Sequence, residues 1–329
     1  MPRHIAVTVG QISAPDRSSL VVGVDKPSAD NTGVLSGVGR SNYNAPGTSG
    51  TVAVAAGSYS NLDFYGDCYP SSATGTYTFS NCWFHGGIGH PASNRGTFYC
   101  WSLTTGWATF EDCTFSADDP SYYRDGLVGH RWTARRCQAY NVNDGFGRNA
   151  SGGYTLEQCY VPWLTWWSQD PAHADGTHND GLQDQGGSGV STVRGNNLNC
   201  YVVVAAGSET TNTRPAPNGM YYGGSAIIVN QNIGAINASS IYEKNWLDGG
   251  YAQLQLNAGS QDLTLNLSTN WYGRDVYDNY PANPDKRWVC LVPNGHTITD
   301  SAGKLYTEQR WEDDLTLLTA GRATGIRTV

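Results

Sequence analysis

Three short phrases place a carboxylate beside a glycine and an apolar residue: Arg124-Asp125-Gly126-Leu127, Asn143-Asp144-Gly145-Phe146 and Asn179-Asp180-Gly181-Leu182. If they occupy successive turns of a stacked chain, neighbouring Asp residues lie about 5 Å apart and the outer two about 10 Å apart. Carboxylates at such spacing do not all ionise freely, so at least one titrates high. Glycoside cleavage uses acid pairs separated by roughly 5–5.5 Å or roughly 6.5–9.5 Å. Asp125, Asp144 and Asp180 are therefore candidate catalytic carboxylates, with His178 as a general acid and Arg148 as a charge clamp. His130 and Asp184 flank the same column. The same residues admit a structural role. Each Asp shares strand parity with the apolar residue two places on, which favours Asp-Gly in the turn entering a strand. There the carboxylate caps backbone N–H groups, and Gly126, Gly145 and Gly181 face outward in an unusual φ.

A second group is Trp163, Trp166 and Trp167, followed by an Asp- and His-rich stretch to His178. On a protruding loop these rings are a candidate glycan-stacking platform or a partner interface, and packed beneath it they are a satellite apolar cluster. His173, Asp175, His178 and Asp180 alternate acid and imidazole, a pattern that loops carry without metal. No metal and no cofactor is expected. Nucleophile-elbow, phosphate-loop and dinucleotide motifs are absent from the sequence.

The scaffold that positions these groups is legible as a repeat: an apolar residue, two polar ones, Cys or Asn, any residue, another apolar one. It reads Phe79 to Phe84, Phe110 to Phe115, Ala134 to Ala139 and Leu156 to Val161, with weaker copies at Val193 to Leu198, Ile241 to Trp246 and Leu267 to Tyr272. Uneven intervals of roughly 20 to 50 residues mark a stacked architecture with a constant rung and variable loops. Within a copy the inward parity flips. Phe79 and Cys82 can both face a core only if a one-residue bend separates two short strands. The expected fold is all-β, a right-handed parallel β-helix (solenoid) with capped ends. Cys82, Cys113, Cys137 and Cys159 share one rung position and read as a column of buried, reduced thiols.

Composition sets further bounds. Charged residues make up 15% and the formal net charge is −8, with 20 Tyr and 11 Trp. No basic run suggests a nucleic-acid partner. No apolar stretch of about 18 residues suggests membrane insertion. The start lacks a secretory leader's apolar core, so assembly in a cytoplasm, or a mature form with a new start, is expected. Residues 1–50 read as a lead-in, cap or attachment segment, 51–290 as the β-helix, and 291–329 as a C-terminal cap or tail. Tyr306 to Leu315 is the one plausible short helix.

The rungs resemble pectate-lyase-like β-helix proteins. His178-Asn179-Asp180-Gly181-Leu182-Gln183, the bend at Arg194-Gly195-Asn196, and Asp30-Asn31-Thr32-Gly33-Val34 are similar to a β-helix family of actinobacteria and their phages. The resemblance spans residues 26 to 275, mostly as pattern. It implies a minor tail, receptor-binding protein of a virion, assembled in a host cytoplasm as a homotrimer. Its expected partners are host cell-surface polysaccharide and other tail proteins. A secreted polysaccharide hydrolase or lyase and a purely structural virion subunit are the rival expectations. The chain departs from the polygalacturonase-like pattern: Asp118-Asp119 is an isolated acid pair and the other catalytic elements are missing. Asp144 and Arg148 could imitate a lyase's acid and base.

Overall fold

The computed structural model describes residues 17, 20–211, 215–256, 262–275, 290–292, 298–301, 308–315, 317, 319–320 and 325–328. Among these, short strands and turns coil into a right-handed parallel β-helix, and no α-helix is present. Each coil contributes one strand to each of three parallel sheets. One early coil runs Thr51–Val54 in the first sheet, Gly57–Ser60 in the second and Leu62–Phe64 in the third. The next coil pairs above it in register, Val52 opposite Cys68, Tyr59 opposite Phe79 and Phe64 opposite Phe84. Strands this short close no sheet alone. They are stable because inward residues stack on their equivalents about 4.8 Å away. Phe79 lies parallel to Phe110 at 4.9 Å and Phe84 to Phe115 at 5.2 Å.

The bend between the second and third sheets is one residue in left-handed conformation: Asn61, Asn81, Asp112, Arg136, Gln158, Gly195 and Lys244, each with positive φ. That conformation is unfavourable for most side chains. Here the bend residue's N–H donates to the next coil, as Asn81 N to Glu111 O (3.0 Å) and Gln158 N to Arg194 O (3.2 Å), so the ladder continues through the corner. The residue after the bend points inward. It is Cys82, Cys113, Cys137 and Cys159 in early coils, all buried thiols. Later it is Asn196, Asn245 and Asn270. Asn196 Oδ1 accepts the Cys159 N–H (2.8 Å), Asn245 Oδ1 the Asn196 N–H (3.1 Å), and Asn270 Oδ1 the Asn245 N–H (3.0 Å).

One copy of the repeat is shifted from its sequence frame. Register places Tyr242 opposite both Val193 and Leu267, so Lys244 makes the bend and Asn245 occupies the column. Tyr242 faces inward although it reads as a polar position. Its hydroxyl finds a buried partner in Asp184.

Residues 20–40 lie lengthwise against the bends. Asn197 Nδ2 donates to Pro27 O (2.8 Å), Gly33 N to Arg136 O (2.8 Å) and Leu35 N to Asn81 Oδ1 (2.6 Å) before Ser41 pairs with Leu62. At the other end the coil continues through Cys290–Val292, Ile298–Asp300, Arg310–Trp311 and Gly325–Thr328. The expected helix at 306–315 is not formed in its described part. Arg310–Trp311 pairs with Trp271–Tyr272, and residues 312–314 turn. Strand pairing and the Arg274 guanidinium over the Trp311 ring (4.2 Å) outweigh the local helical pattern. Residues 306 and 307 of that stretch lie outside the described residues.

Candidate functional site

The three Asp residues stack on consecutive coils of the first sheet, because Leu127, Phe146 and Leu182 pair in register two places downstream of each. Asp125 Oδ1 accepts the Asp144 N–H (3.2 Å), Asp144 Oδ1 the Asp180 N–H (2.8 Å), and Asp180 Oδ1 the Ser225 N–H (2.7 Å). All three carboxyls are buried. Loss of hydration raises Asp125 and Asp180 to about 7, against the opposing pull of hydrogen bonds to the carboxylate. Asp144 rises well above the usual range, first from burial and then from repulsion by Asp125 and Asp180 on either side.

The glycines of the phrase face the interior, contrary to the outward placement expected from parity. A Cβ on Gly145 would meet Val161 Cγ2 at 2.8 Å, and one on Gly126 would meet Gly145 O at 2.3 Å. The unusual φ expected of these glycines is also not found: none of the three is at positive φ, and Gly126 and Gly181 lie within the strands Arg124–Val128 and Asp180–Gly187. Each passes close to the next coil while Leu127, Phe146 and Leu182 reach the core.

Arg148 is not beside this column's carboxyls. It lies inside the coil, 0% exposed, and donates from Nε to Asp184 Oδ1 at 2.7 Å. Tyr154, Tyr242 and Ser191 hydroxyls donate to Asp184 Oδ2. Burial works against the Arg148 charge, but Asp184 outweighs it and raises the guanidinium further. His130 is also buried, accepts the Gly152 N–H at Nδ1 (2.7 Å), and is lowered by desolvation.

A cleft of about 460 Å³ opens at the upper end of the Asp column. Its floor is Asp180, Ser225, Ile228 and Gln255 of the first sheet, and its walls carry Trp166, Asp175, Thr177, His178, Tyr222 and Tyr251. One wall is the loop 167–178. Thr177 anchors it, donating from its hydroxyl to Asn179 Oδ1 (2.9 Å) and accepting the Trp167 N–H (3.0 Å). The opposite walls depend on paired glycines. Gly224 packs so closely that a Cβ would lie 2.7 Å from Asp180 Oδ1, and Gly249 and Gly250, both at positive φ, turn Tyr251 outward.

The three tryptophans do not form one flat platform. Trp166 ends a strand (Leu164–Trp166), is buried, and is covered by Gly176, where a Cβ would touch the indole at 2.3 Å. Trp167 meets His90 edge-on at 5.2 Å, and Trp163 leans on Tyr140 at 5.6 Å. Of the three, Trp166 alone lines the cleft. His178 is exposed there, bonded to Asp175 Oδ1 (3.1 Å) and stacked on His173 at 4.2 Å. Partial burial would raise Asp175, but the His178 hydrogen bond and charge prevail and lower it. Among the described residues no group of three or more His, Cys, Asp or Glu side chains is arranged to hold a metal.

Sequence reasoning missed Tyr222, Tyr251 and Gln255. A usable signal existed for the two tyrosines: each adjoins a glycine pair, Tyr222-Gly223-Gly224 and Gly249-Gly250-Tyr251, between rung phrases. No protein-family model matches the chain, and neither does any curated protein or solved structure.

Proposed function

We propose that the protein is a phage tail β-helix, a minor tail or receptor-binding subunit that engages a host-surface glycan through the cleft above Asp180. The observation that carries this reading is the cleft's chemistry. It combines aromatic walls (Trp166, Tyr222, Tyr251) with a floor of hydroxyl, amide and carboxyl groups (Ser225, Gln255, Asp180). Sugar rings present alternating apolar faces and hydroxyl edges, which such a surface complements. A stiff parallel coil suits an extracellular machine, and the homotrimer and the tail partners belong to the same proposal. The test is incubation of the purified protein with cell-envelope polysaccharide pooled from a panel of actinobacteria. Co-elution of intact polysaccharide on size exclusion supports a receptor-binding protein. Absence of co-elution for the whole panel overturns it.

A second reading, polysaccharide cleavage, is favoured by one observation: Asp180 faces the cleft and keeps its proton to about 7, as a general acid requires. Release of reducing ends that is lost in Asp180→Asn, with coelution retained, would establish it.

A further inference from the structure

We infer that the cleft selects uncharged, hydroxyl-rich glycans and rejects glycans carrying carboxylate, phosphate or sulfate groups. The inference rests on the glycan-binding reading above and narrows its ligand class. Among the described residues the cleft's ionisable lining consists of Asp175, His178 and Asp180 with the two tyrosines, and no described Lys or Arg contributes to it. Recognition of an anionic sugar relies on guanidinium or ammonium donors in fixed geometry, since desolvating an unpaired anion is costly. Here the approaching ligand meets the opposite field. Asp175 projects at the rim, 67% exposed, and its hydrogen bond to His178 favours the carboxylate. The −8 formal charge of the chain adds a long-range term of the same sign.

What the lining offers instead suits neutral hydroxyls. Asp180 Oδ1 is occupied by the Ser225 N–H, while its Oδ2 has only a long contact from Gln183 Nε2 (3.5 Å). Gln255 Oε1 is held by the Ser225 hydroxyl (3.0 Å), which leaves its amide nitrogen to donate. Tyr251, 47% exposed, adds an aromatic side chain to the cleft wall.

The experiment divides the pooled envelope polysaccharide on an anion-exchange column into an unretained neutral fraction and a retained acidic one. Each is titrated into wild type and Asp175→Lys at low and physiological salt. The expected result is binding of the neutral fraction, insensitive to salt, with little binding of the acidic fraction. Charge reversal in Asp175→Lys should raise acidic-fraction affinity by roughly tenfold at low salt. Asp175 is a solvent-facing rim residue, so the variant should fold as wild type does. Preferential binding of the acidic fraction by wild type would overturn the inference while leaving the glycan reading intact. Binding of neither fraction would remove the glycan reading and the inference together.

Discussion

Asp144 Oδ1 accepts the backbone N–H of Asp180, one coil further along, at 2.8 Å. On another face of the coil the sense is reversed: Asn245 Oδ1 accepts the N–H of Asn196, one coil earlier, at 3.1 Å. One chain thus links its coils with two side-chain-to-backbone ladders of opposite direction, one neutral and one built from acids. In the acid ladder every carboxyl is buried among like neighbours, so the hydrogen bonds come with an electrostatic cost that the Asn ladder avoids.

That contrast predicts the effect of Asp144→Asn. The amide oxygen still accepts the Asp180 N–H, and the repulsion between adjacent acids disappears. The folded-state values of Asp125, Asp144 and Asp180 are all raised, so between about pH 4 and pH 7 the folded chain holds protons that the unfolded chain has released. Stability therefore falls as pH rises through that window. Urea titrations at pH 5 and pH 8 should show wild type losing stability on the order of a few kcal/mol at the higher pH, and Asp144→Asn losing clearly less. A variant equally or more pH-sensitive would mean that the carboxyls are not strained by burial.

Asn196→Ala removes the acceptor for Cys159 N–H and the donor to Leu156 O (3.0 Å), both fully buried. The expected loss is on the order of 3 kcal/mol by chemical denaturation. Cys137→Ala, in the thiol part of the same column, should cost only about 1 kcal/mol, because a buried thiol contributes mainly packing.

Arg148→Ala removes the one cation paired with Asp184 inside the coil and leaves it only neutral donors, the Tyr154, Ser191 and Tyr242 hydroxyls and the Gly186 N–H. The expected result is destabilisation by roughly 3–5 kcal/mol. If glycan cleavage is found, its loss in this variant should track loss of folded protein by circular dichroism. A folded, stable Arg148→Ala protein that binds glycan but no longer cuts it would instead return Arg148 to the catalytic group.

Gly33 sits at φ +70°, and a Cβ there would lie 2.7 Å from Thr114 Oγ1. Gly33→Ala should lift residues 20–40 from the bends while the coil stays formed. Limited proteolysis should then cut within this segment far faster than in wild type, with the remaining core intact by mass.

The coil was legible because its repeat is local. Phe79 and Cys82 cannot both face a core without a bend between them, and Asn81 makes that bend. The Ile241 copy slipped by one residue because Tyr242 looks polar, and only its buried partner Asp184 explains its inward position. The Asp column was legible as a stack, yet parity alone put the glycines outside. Their close approach to the neighbouring coil is a long-range contact that parity does not carry. The cleft itself was hidden, since Tyr222, on the short strand Tyr221–Tyr222, and Tyr251, beyond the turn at 249–250, line one cleft with Asp180 although nothing in the local sequence brings them together. The lengthwise path of residues 20–40 is equally a product of long-range contacts, such as Pro27 with Asn197.

The most direct measurement is size-exclusion co-elution of the protein with actinobacterial envelope polysaccharide, wild type beside Tyr251→Ala. Tyr251 is an exposed turn residue whose ring walls the cleft, so its removal should leave the fold intact. The expected result is co-elution with wild type and roughly a tenfold or greater loss of affinity in the variant, the scale of one lost aromatic contact. Equal binding by both proteins would place the glycan elsewhere on the coil. No binding by either would contradict the receptor reading and leave a structural subunit.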